Sequence, residues 1–271
     1  MRINKTLMST AFAFALGTAI FADEAYDIIQ KSSTLEAPDT SQAIMMLYNI
    51  EKDGRTEVRE MRQFGRKTNG LKDTVFDIRS PKTVANTRVL QMEKSQREDD
   101  RWIYEPKLRQ VRRIPMGERY KQFVGCEFTY NDMAIRHVDD DKHEMLETNV
   151  TVTVPGGRNY TCWKIKSVPY KKSQVEYSYR IQYIDKETYL PAKIEYFDKK
   201  DPDQLLKTYT TEDWIYLTSK TGKKYTMRMK ARVATAKTGR QTVLEIKDPV
   251  MDAGISPIYF NEQYLKTGKA K

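Results

Sequence analysis

The chain has 271 residues, of which 39% are hydrophobic and 11% aromatic, and it carries a formal net charge of +10. This length and apolar content suffice for a real hydrophobic core, so the composition excludes a disordered polyelectrolyte. Two Cys and two His exclude a zinc ribbon, a multi-cysteine iron–sulfur site and a disulfide-dense scaffold built from this chain alone.

The N-terminus has the pattern of a secretory signal. Arg2 and Lys5 precede the apolar run Leu7–Phe21, which ends before an Ala-Asp pair. About fifteen apolar residues are fewer than the roughly 20 that span a bilayer comfortably. We therefore predict a signal peptide over residues 1–22 and an exported protein, with an uncleaved N-terminal anchor as the alternative.

The positive charge favours encounters with anionic lipid surfaces or acidic partners, although it is also common on solvated faces. Nucleic acid is a poor candidate partner, because an exported protein does not meet it and the basic residues are not concentrated into a phosphate track.

After the signal, residues 23–33 place Ala25, Tyr26, Ile28 and Ile29 at helical spacing, which predicts a short amphipathic helix. Strand patterns follow, and an Asp-Gly pair between the first two runs predicts a hairpin. The strand candidates of this half are Ala43–Ile50, Thr56–Phe64, Thr74–Arg79, Thr87–Glu93, Arg101–Glu105 and Gln110–Ile114.

Residues 117–136 break the strand pattern, since their apolar positions have no steady period of two. A helix start at Thr129–Asp132 predicts one or two short helices or an ordered loop in the middle of a strand-rich chain.

Strict alternation of apolar and polar residues returns in the second half. It runs through Val150–Val154, Tyr177–Tyr183 and Tyr225–Val233, and a turn at Thr238-Gly239 leads to Thr242–Ile246. Such alternation is typical of an antiparallel sheet with one buried face.

No Pro-, Gly- or Ser-rich linker divides the chain, so we predict one domain over residues 23–271. About ten or eleven antiparallel strands must close into a barrel or curl and be covered. The predicted fold is mainly β: a single unclosed antiparallel β-barrel with short helices over a concave apolar face. Such a hollow suits a hydrophobic ligand.

The sequence has no G-x-S-x-G elbow of hydrolases, no P-loop, no G-x-G-x-x-G opening a helix and no H-E-x-x-H motif of zinc proteases. The one tempting cluster places His137 and His143 around Asp139, Asp140 and Asp141, which could hold a metal or support a His-Asp base. We favour a solvated connection here and predict no catalytic residue, metal or cofactor. A lipid or ester hydrolase that uses this cluster is the alternative function.

Three adjacent segments carry a resemblance to a known family, and four more extend it over nearly the whole exported chain. The segments are Asp100–Pro106, Leu108–Ile114 and Gly125–Met133, with Thr56–Met61, Tyr183–Pro191, Lys193–Asp198 and Thr238–Ile246. This combination resembles the outer-membrane lipoprotein-sorting proteins of the LolA-like class.

The resemblance implies an incomplete antiparallel barrel with helices over its mouth. It also implies a periplasmic, non-enzymatic carrier of lipoprotein acyl chains, phospholipid or related lipid, soluble after signal cleavage. An inner-membrane transporter and an outer-membrane acceptor would be its partners, and membrane contact would be transient. We expect a monomer. A structural or adaptor protein of the cell envelope is the second alternative.

Aromatic and Met side chains are adaptable linings for acyl chains, although each is also common in plain cores. We predict lipid contacts from a lid side and from a sheet side. The lid residues are Phe123, Phe128, Tyr130 and Met133, and the sheet residues are Trp102, Tyr104, Tyr179, Ile181, Met227 and Met229. Arg109, Arg112 and Arg113 are candidates for headgroup or partner contacts.

In an oxidising compartment Cys126 and Cys162 can form a disulfide, which we favour over two buried thiols. The family resemblance adds to this prediction, because Cys126 departs from the Gly-Ser pattern at that point, and a bond to Cys162 would restrain the lid.

Overall fold

The computed structural model describes residues 24–95 and 97–270, so the predicted signal peptide lies outside the described residues. The predicted N-terminal helix is confirmed as α1, residues 24–33. A second helix, α2 (Glu262–Thr267), follows the last strand. Within this part of the chain, none of the helices has the length and apolar character needed to cross a membrane.

The fold is mainly β, as predicted, and its strands form one antiparallel sheet that does not close. Among the described residues, thirteen strands make up the sheet, which is more than the ten or eleven expected. They are β1 (Thr40–Ile50), β2 (Thr56–Thr68), β3 (Leu71–Ser80), β4 (Arg88–Met92), β5 (Asp100–Glu105), β6 (Gln110–Arg113), β7 (Asp141–Thr153), β8 (Asn159–Pro169), β9 (Tyr177–Asp185), β10 (Pro191–Asp198), β11 (Leu205–Thr218), β12 (Lys224–Thr235) and β13 (Gln241–Met251).

The two halves of the chain meet at β1 in the middle of the sheet. The strand order is β6-β5-β4-β3-β2-β1-β13-β12-β11-β10-β9-β8-β7. Met45 of β1 lies opposite Met61 of β2 on one side and Ile246 of β13 on the other. β6 and β7 therefore form the two edges of the sheet, and the chain between them must cross one of its faces.

Residues 114–140, which we call the crossing segment, make this connection. They contain 3-10 turns at Met116–Glu118 and Val138–Asp140 and a single bridge between Gln122 and Thr129. Of the two predicted forms, the ordered loop is the one observed here. The segment is held over the sheet by its own apolar side chains rather than by regular helices.

The main core lies between the crossing segment and one face of the sheet, which we call the inner face. Phe123 is fully buried and packs edge to face on Phe76 of β3, with ring centroids 5.3 Å apart. The same cluster includes Met61 of β2 and Val233 of β12, so both halves of the sheet contribute to it. Burial of these apolar side chains fixes the crossing segment against the inner face.

The outer face is covered at one end by the C-terminal segment. Tyr264 and Leu265 of α2 pack with Phe260 on Phe64 of β2 and Leu90 of β4. α1 instead packs beside the crossing segment, where it forms a cluster with Val138, Ile165 and Ile184. The inner face is therefore enclosed by the crossing segment and α1.

Candidate functional site

Two adjoining cavities lie between the inner face and the crossing segment. Their volumes are about 680 Å³ and about 290 Å³. Several side chains line both, so the two cavities meet at a shared wall. These shared residues are Lys72, Asp99, Asp132, Ala134, Ile135, Tyr209, Arg228 and Ile246.

The smaller cavity has apolar lining on the sheet and on the crossing segment, interrupted by polar side chains that include Gln63, Gln91 and Glu93. Its apolar lining comes from β1, β3, β12, β13 and the crossing segment. These residues are Met45, Phe76, Phe128, Met133, Ala134, Ile135, Ala231, Leu244 and Ile246. Met side chains adapt their shape readily, so this lining suits hydrocarbon chains of different shapes.

The larger cavity is more polar. Ile29 and Leu35 from the α1 region form part of its apolar wall, together with Ile194 and Met251 from the sheet. Buried and half-buried cations face the same space, namely Lys72, Arg101, Arg119, Arg136, Arg180 and Arg228. The combined site can therefore contact both an apolar chain and a negatively charged group.

A buried ion cluster fastens the crossing segment to β11. Lys207 Nζ lies 2.6 Å from Asp132 Oδ2 and 2.7 Å from Glu176 Oε1, and the Lys207 side chain is 5% exposed. Burial alone would lower the pKa of Lys207, but the carboxylates of Asp132 and Glu176 outweigh burial and raise this pKa. These ion pairs therefore tie the crossing segment to the sheet.

A second ion cluster holds the end of the crossing segment. Arg136 Nη2 lies 2.6 Å from Asp141 Oδ1, and Arg180 Nη2 lies 3.0 Å from Asp141 Oδ2. Burial would raise the pKa of Asp141, but Arg180 and Arg136 lower it. Asp141 is thus an ionised bridge between the crossing segment and β9.

His143, the centre of the hydrolase alternative, is part of a buried structural network. Its Nδ1 lies 2.8 Å from Ser167 Oγ, and its Nε2 lies 3.0 Å from the carbonyl oxygen of Val138. Gln182 Nε2 donates to Ser167 Oγ at 2.7 Å. Burial lowers the pKa of His143. Ser167 is completely buried, so a substrate ester cannot reach this hydroxyl.

The remaining members of the predicted His-Asp cluster lie outside this network, and His137 and Asp140 line the larger cavity. His137 is exposed, and Asp139 accepts a hydrogen bond from Tyr26 of α1 at 2.8 Å. Asp140 and Asp141 pair with Arg136. Across residues 24–95 and 97–270, no three His, Cys, Asp or Glu side chains are grouped as metal ligands.

The predicted lid residues all belong to the crossing segment, but their side chains lie in two environments. Phe128 and Met133 line the smaller cavity. Phe123 and Tyr130 pack on each other edge to face, with centroids 5.4 Å apart, and fill the core beside it. These two side chains help to shape the cavity.

The predicted sheet residues divide between the two faces. Met227 lines the larger cavity, whereas Met229 lines neither of the two described cavities. Trp102 and Tyr104 pack in the outer-face cluster with α2. Tyr179 stacks on Phe197 at 4.5 Å, and Ile181 joins the cluster that contains Cys162. Tyr179 and Ile181 alternate along β9 with Arg180 and Gln182, which face the larger cavity, so the two predicted residues lie on the other face of the sheet.

The three predicted arginines lie at the β5–β6 edge. Arg109 is exposed in the hairpin turn. Arg112 pairs with Glu105 at 3.0 Å, and Arg113 pairs with Asp100 at 3.2 Å. Within the described part of the chain, the three side chains line neither cavity and are available to a partner at the surface.

The predicted disulfide is not formed, because Cys126 and Cys162 are both free and buried. Cys126 packs in the inner-face core, whereas Cys162 packs with Tyr160 and Tyr183 in a separate cluster on the outer face. The sheet separates the two thiols, so the crossing segment is restrained by packing and ion pairs instead.

Solved structures with this architecture identify the class of fold. An outer membrane lipoprotein-sorting protein domain from Vibrio parahaemolyticus is 24% identical, with a TM-score of 0.78 over 90% of this chain and 99% of that chain. A DUF1329 family protein from Desulfovibrio piger is 20% identical, with the same TM-score and coverage. A LolA superfamily protein from Nitrosomonas europaea is 16% identical, with a TM-score of 0.63 over 89% and 98% of the two chains.

These similarities confirm the predicted LolA-like fold. A family model described as "Uncharacterized protein" matches residues 70–267, and the chain belongs to this family. A comparison with curated proteins gave no match.

Proposed function

We propose that this protein is a non-enzymatic periplasmic carrier that holds the acyl chains of lipoproteins or other lipids for transfer towards the outer membrane. The main support is the pair of adjoining cavities beneath the crossing segment. The LolA-like fold, shared with a lipoprotein-sorting domain, agrees with this assignment.

The apolar lining of the smaller cavity supplies the binding energy in this proposal. Met45, Phe76, Phe128 and Leu244 converge there from three strands and the crossing segment. Transfer of an acyl chain from water into such a lining gains about 0.8 kcal/mol per buried methylene. About ten buried methylenes would therefore contribute about 8 kcal/mol, which corresponds to micromolar affinity.

Entry and release require a movable cover. The crossing segment supplies one wall of both cavities through Asp132, Ala134 and Ile135. It is attached to the sheet by ion pairs and by aromatic packing rather than by strand pairing. A donor or acceptor that binds the open form would shift the population of this cover by its differential affinity.

Lipid content is the most direct test. Protein expressed with its export signal is purified without detergent, and an organic extract is analysed by mass spectrometry. We expect co-purifying lipid, and we expect delipidated protein to bind a fluorescent fatty acid. Protein that contains no lipid and ignores the probe would contradict the carrier function.

A cavity-filling variant tests the location of binding. Ala134 lines both cavities, so Ala134→Trp places an indole where they meet. Ala236 is exposed in the β12–β13 turn, and Ala236→Trp is the matched control. We expect Ala134→Trp to lose lipid and probe binding while Ala236→Trp retains both. Equal binding by the two variants would place the lipid elsewhere.

A further inference from the structure

Two cations stand at the wall that the cavities share. Lys72 of β3 and Arg228 of β12 each line both spaces. Neither side chain forms an ion pair with a described residue, and Arg228 lies over the Tyr209 ring at 5.3 Å from its centroid. Glu93, Asp99 and Asp132 also line the smaller cavity, but among the described residues none of these carboxylates forms a direct ion pair with Lys72 or Arg228.

Burial disfavours the charged form of Lys72, and a nearby anion would stabilise it. Desolvation lowers the pKa of Lys72, with Lys67 acting in the same direction and Glu93 against both. Glu93 Oε2 accepts a hydrogen bond from the backbone N–H of Lys72 at 2.8 Å. The Lys72 ammonium group itself has no hydrogen-bond partner among the described residues. An anion in the cavity would satisfy it.

Two further cations lie in the larger cavity and are almost fully buried. Arg101 and Arg119 are each 5% exposed. Arg101 Nη1 donates to the Tyr130 carbonyl oxygen at 2.8 Å, and Arg119 Nη2 donates to the Asp99 carbonyl oxygen at 2.6 Å. The Nε atoms of both arginines are buried without a hydrogen-bond partner in the described structure.

The nearby carboxylates only partly balance these charges. The Asp99 carboxylate lies 3.6 Å from Arg101 Nη2, and Asp132 is held by Lys207. Burial, together with the nearby Arg119, lowers the pKa of Arg101 to about 10, which is the direction expected for an undercompensated guanidinium group. Unsatisfied buried cations are costly, and a bound anion would relieve that cost.

We propose that the cargo carries a phosphate headgroup, which Lys72 and Arg228 bind where the two cavities meet and which Arg101 and Arg119 attract from the larger cavity. This inference rests on the proposed carrier function. The acyl chains would occupy the apolar lining of the smaller cavity. An acylated N-terminal cysteine carries no anionic headgroup, so the site favours a phospholipid over a lipoprotein as cargo.

Binding of two matched lipids tests the proposal. Phosphatidylglycerol and diacylglycerol with the same pyrene-labelled chain are titrated onto the delipidated full chain, and glycerol 3-phosphate is added as a soluble competitor. Charge-assisted hydrogen bonds make the anionic lipid bind at least about tenfold tighter than diacylglycerol. We expect glycerol 3-phosphate to compete weakly, because it lacks the chains.

The variant Lys72→Met/Arg228→Met removes both charges and keeps the aliphatic volume. Lys82 and Arg62 are exposed and unpaired with described residues, so Lys82→Met/Arg62→Met is the matched control. We expect the cavity variant to lose the preference and to bind phosphatidylglycerol no more tightly than diacylglycerol. The control should keep the preference for phosphatidylglycerol, and circular dichroism confirms that both variants fold.

The outcomes separate this proposal from the carrier function. Equal binding of the two lipids by the wild-type chain, or an unchanged preference in the cavity variant, would overturn the headgroup site and leave the carrier intact. Failure to bind either lipid would overturn the carrier function and this site with it. If glycerol 3-phosphate displaced the labelled lipid as completely as phosphatidylglycerol does, the cations would be a site for a free phosphate ester. That result would overturn the proposal that they bind a lipid headgroup.

Discussion

The ammonium group of Lys207 on β11 lies 2.6 Å from Asp132 Oδ2 in the crossing segment. Both side chains are less than 8% exposed, and Asp132 Oδ2 also accepts hydrogen bonds from the backbone N–H and the hydroxyl of Thr129. One buried charge pair thus orders the turn that forms the shared wall of the cavities. The crossing segment is thereby attached at a residue that itself lines both cavities.

Removal of the ammonium group should destabilise the protein strongly. Lys207→Met leaves Asp132 and Glu176 buried without their cation, which typically costs about 3–5 kcal/mol. The free energy of unfolding, measured by urea titration, checks this value. Lys266→Met breaks an exposed pair with Glu262 and should cost less than about 1 kcal/mol. Equal costs for the two variants would contradict the role given to Lys207.

His143 should make stability depend on pH in a defined window. Burial holds the pKa of His143 below its ordinary value of 6.5, so the unfolded state binds the proton first as the pH falls. The free energy of unfolding should therefore decrease below pH 6.5. His143→Gln should lose this slope, whereas His137→Gln, at an exposed position, should retain it. Identical slopes in all three proteins would show that His143 is not buried neutral.

The fold was largely predictable because strand alternation is local. The sequence pattern indicated the antiparallel sheet, and residues 117–136 were correctly separated from the strands. β8, β10 and β11 were not placed. β8 has buried residues on both faces, and β11 contains register shifts between Thr211 and Trp214. In β10, the alternation of Ala192, Ile194 and Tyr196 is a local signal that was missed. The crossing segment spans one face of the sheet because it connects β6 and β7, which lie at opposite edges. This strand order is set by long-range pairing, which no local sequence pattern shows.

The site was predicted less completely for two physical reasons. Alternation shows that Trp102 and Tyr104 share a face, but only the position of α2 decides that this face is the outer one. The pairing of β12 with β11 shifts at Asp213, which interrupts the alternation of inward-facing and outward-facing side chains on β12. Arg228 therefore lines both cavities, although the alternation in the sequence predicts that its side chain faces solvent. No local sequence signal placed Lys72 there.

The two thiols should be unreactive in the native protein. Burial raises the pKa values of Cys126 and Cys162 to about 12, and the thiolate is the reactive form. A thiol reagent at pH 8 should therefore label neither, and denaturation in guanidinium should release two thiols per chain. Reductant should leave the melting temperature unchanged. A chain with no titratable thiol after unfolding would instead contain the disulfide that we predicted from the sequence.

The two faces of the sheet should separate stability from binding. Trp102→Ala removes packing against α2 on the outer face, and we expect a cost of up to about 3 kcal/mol with lipid binding retained. Met133→Asp places a charge in the apolar lining of the smaller cavity, so it should weaken acyl-chain binding by at least about tenfold. Urea titration and binding of a fluorescent fatty acid measure the two effects.

Leu265→Ala, which disrupts the same outer-face cluster, is the control for general destabilisation. Loss of binding in Trp102→Ala but not in Leu265→Ala would place the lipid contact on the outer face, where Trp102 would touch the cargo directly.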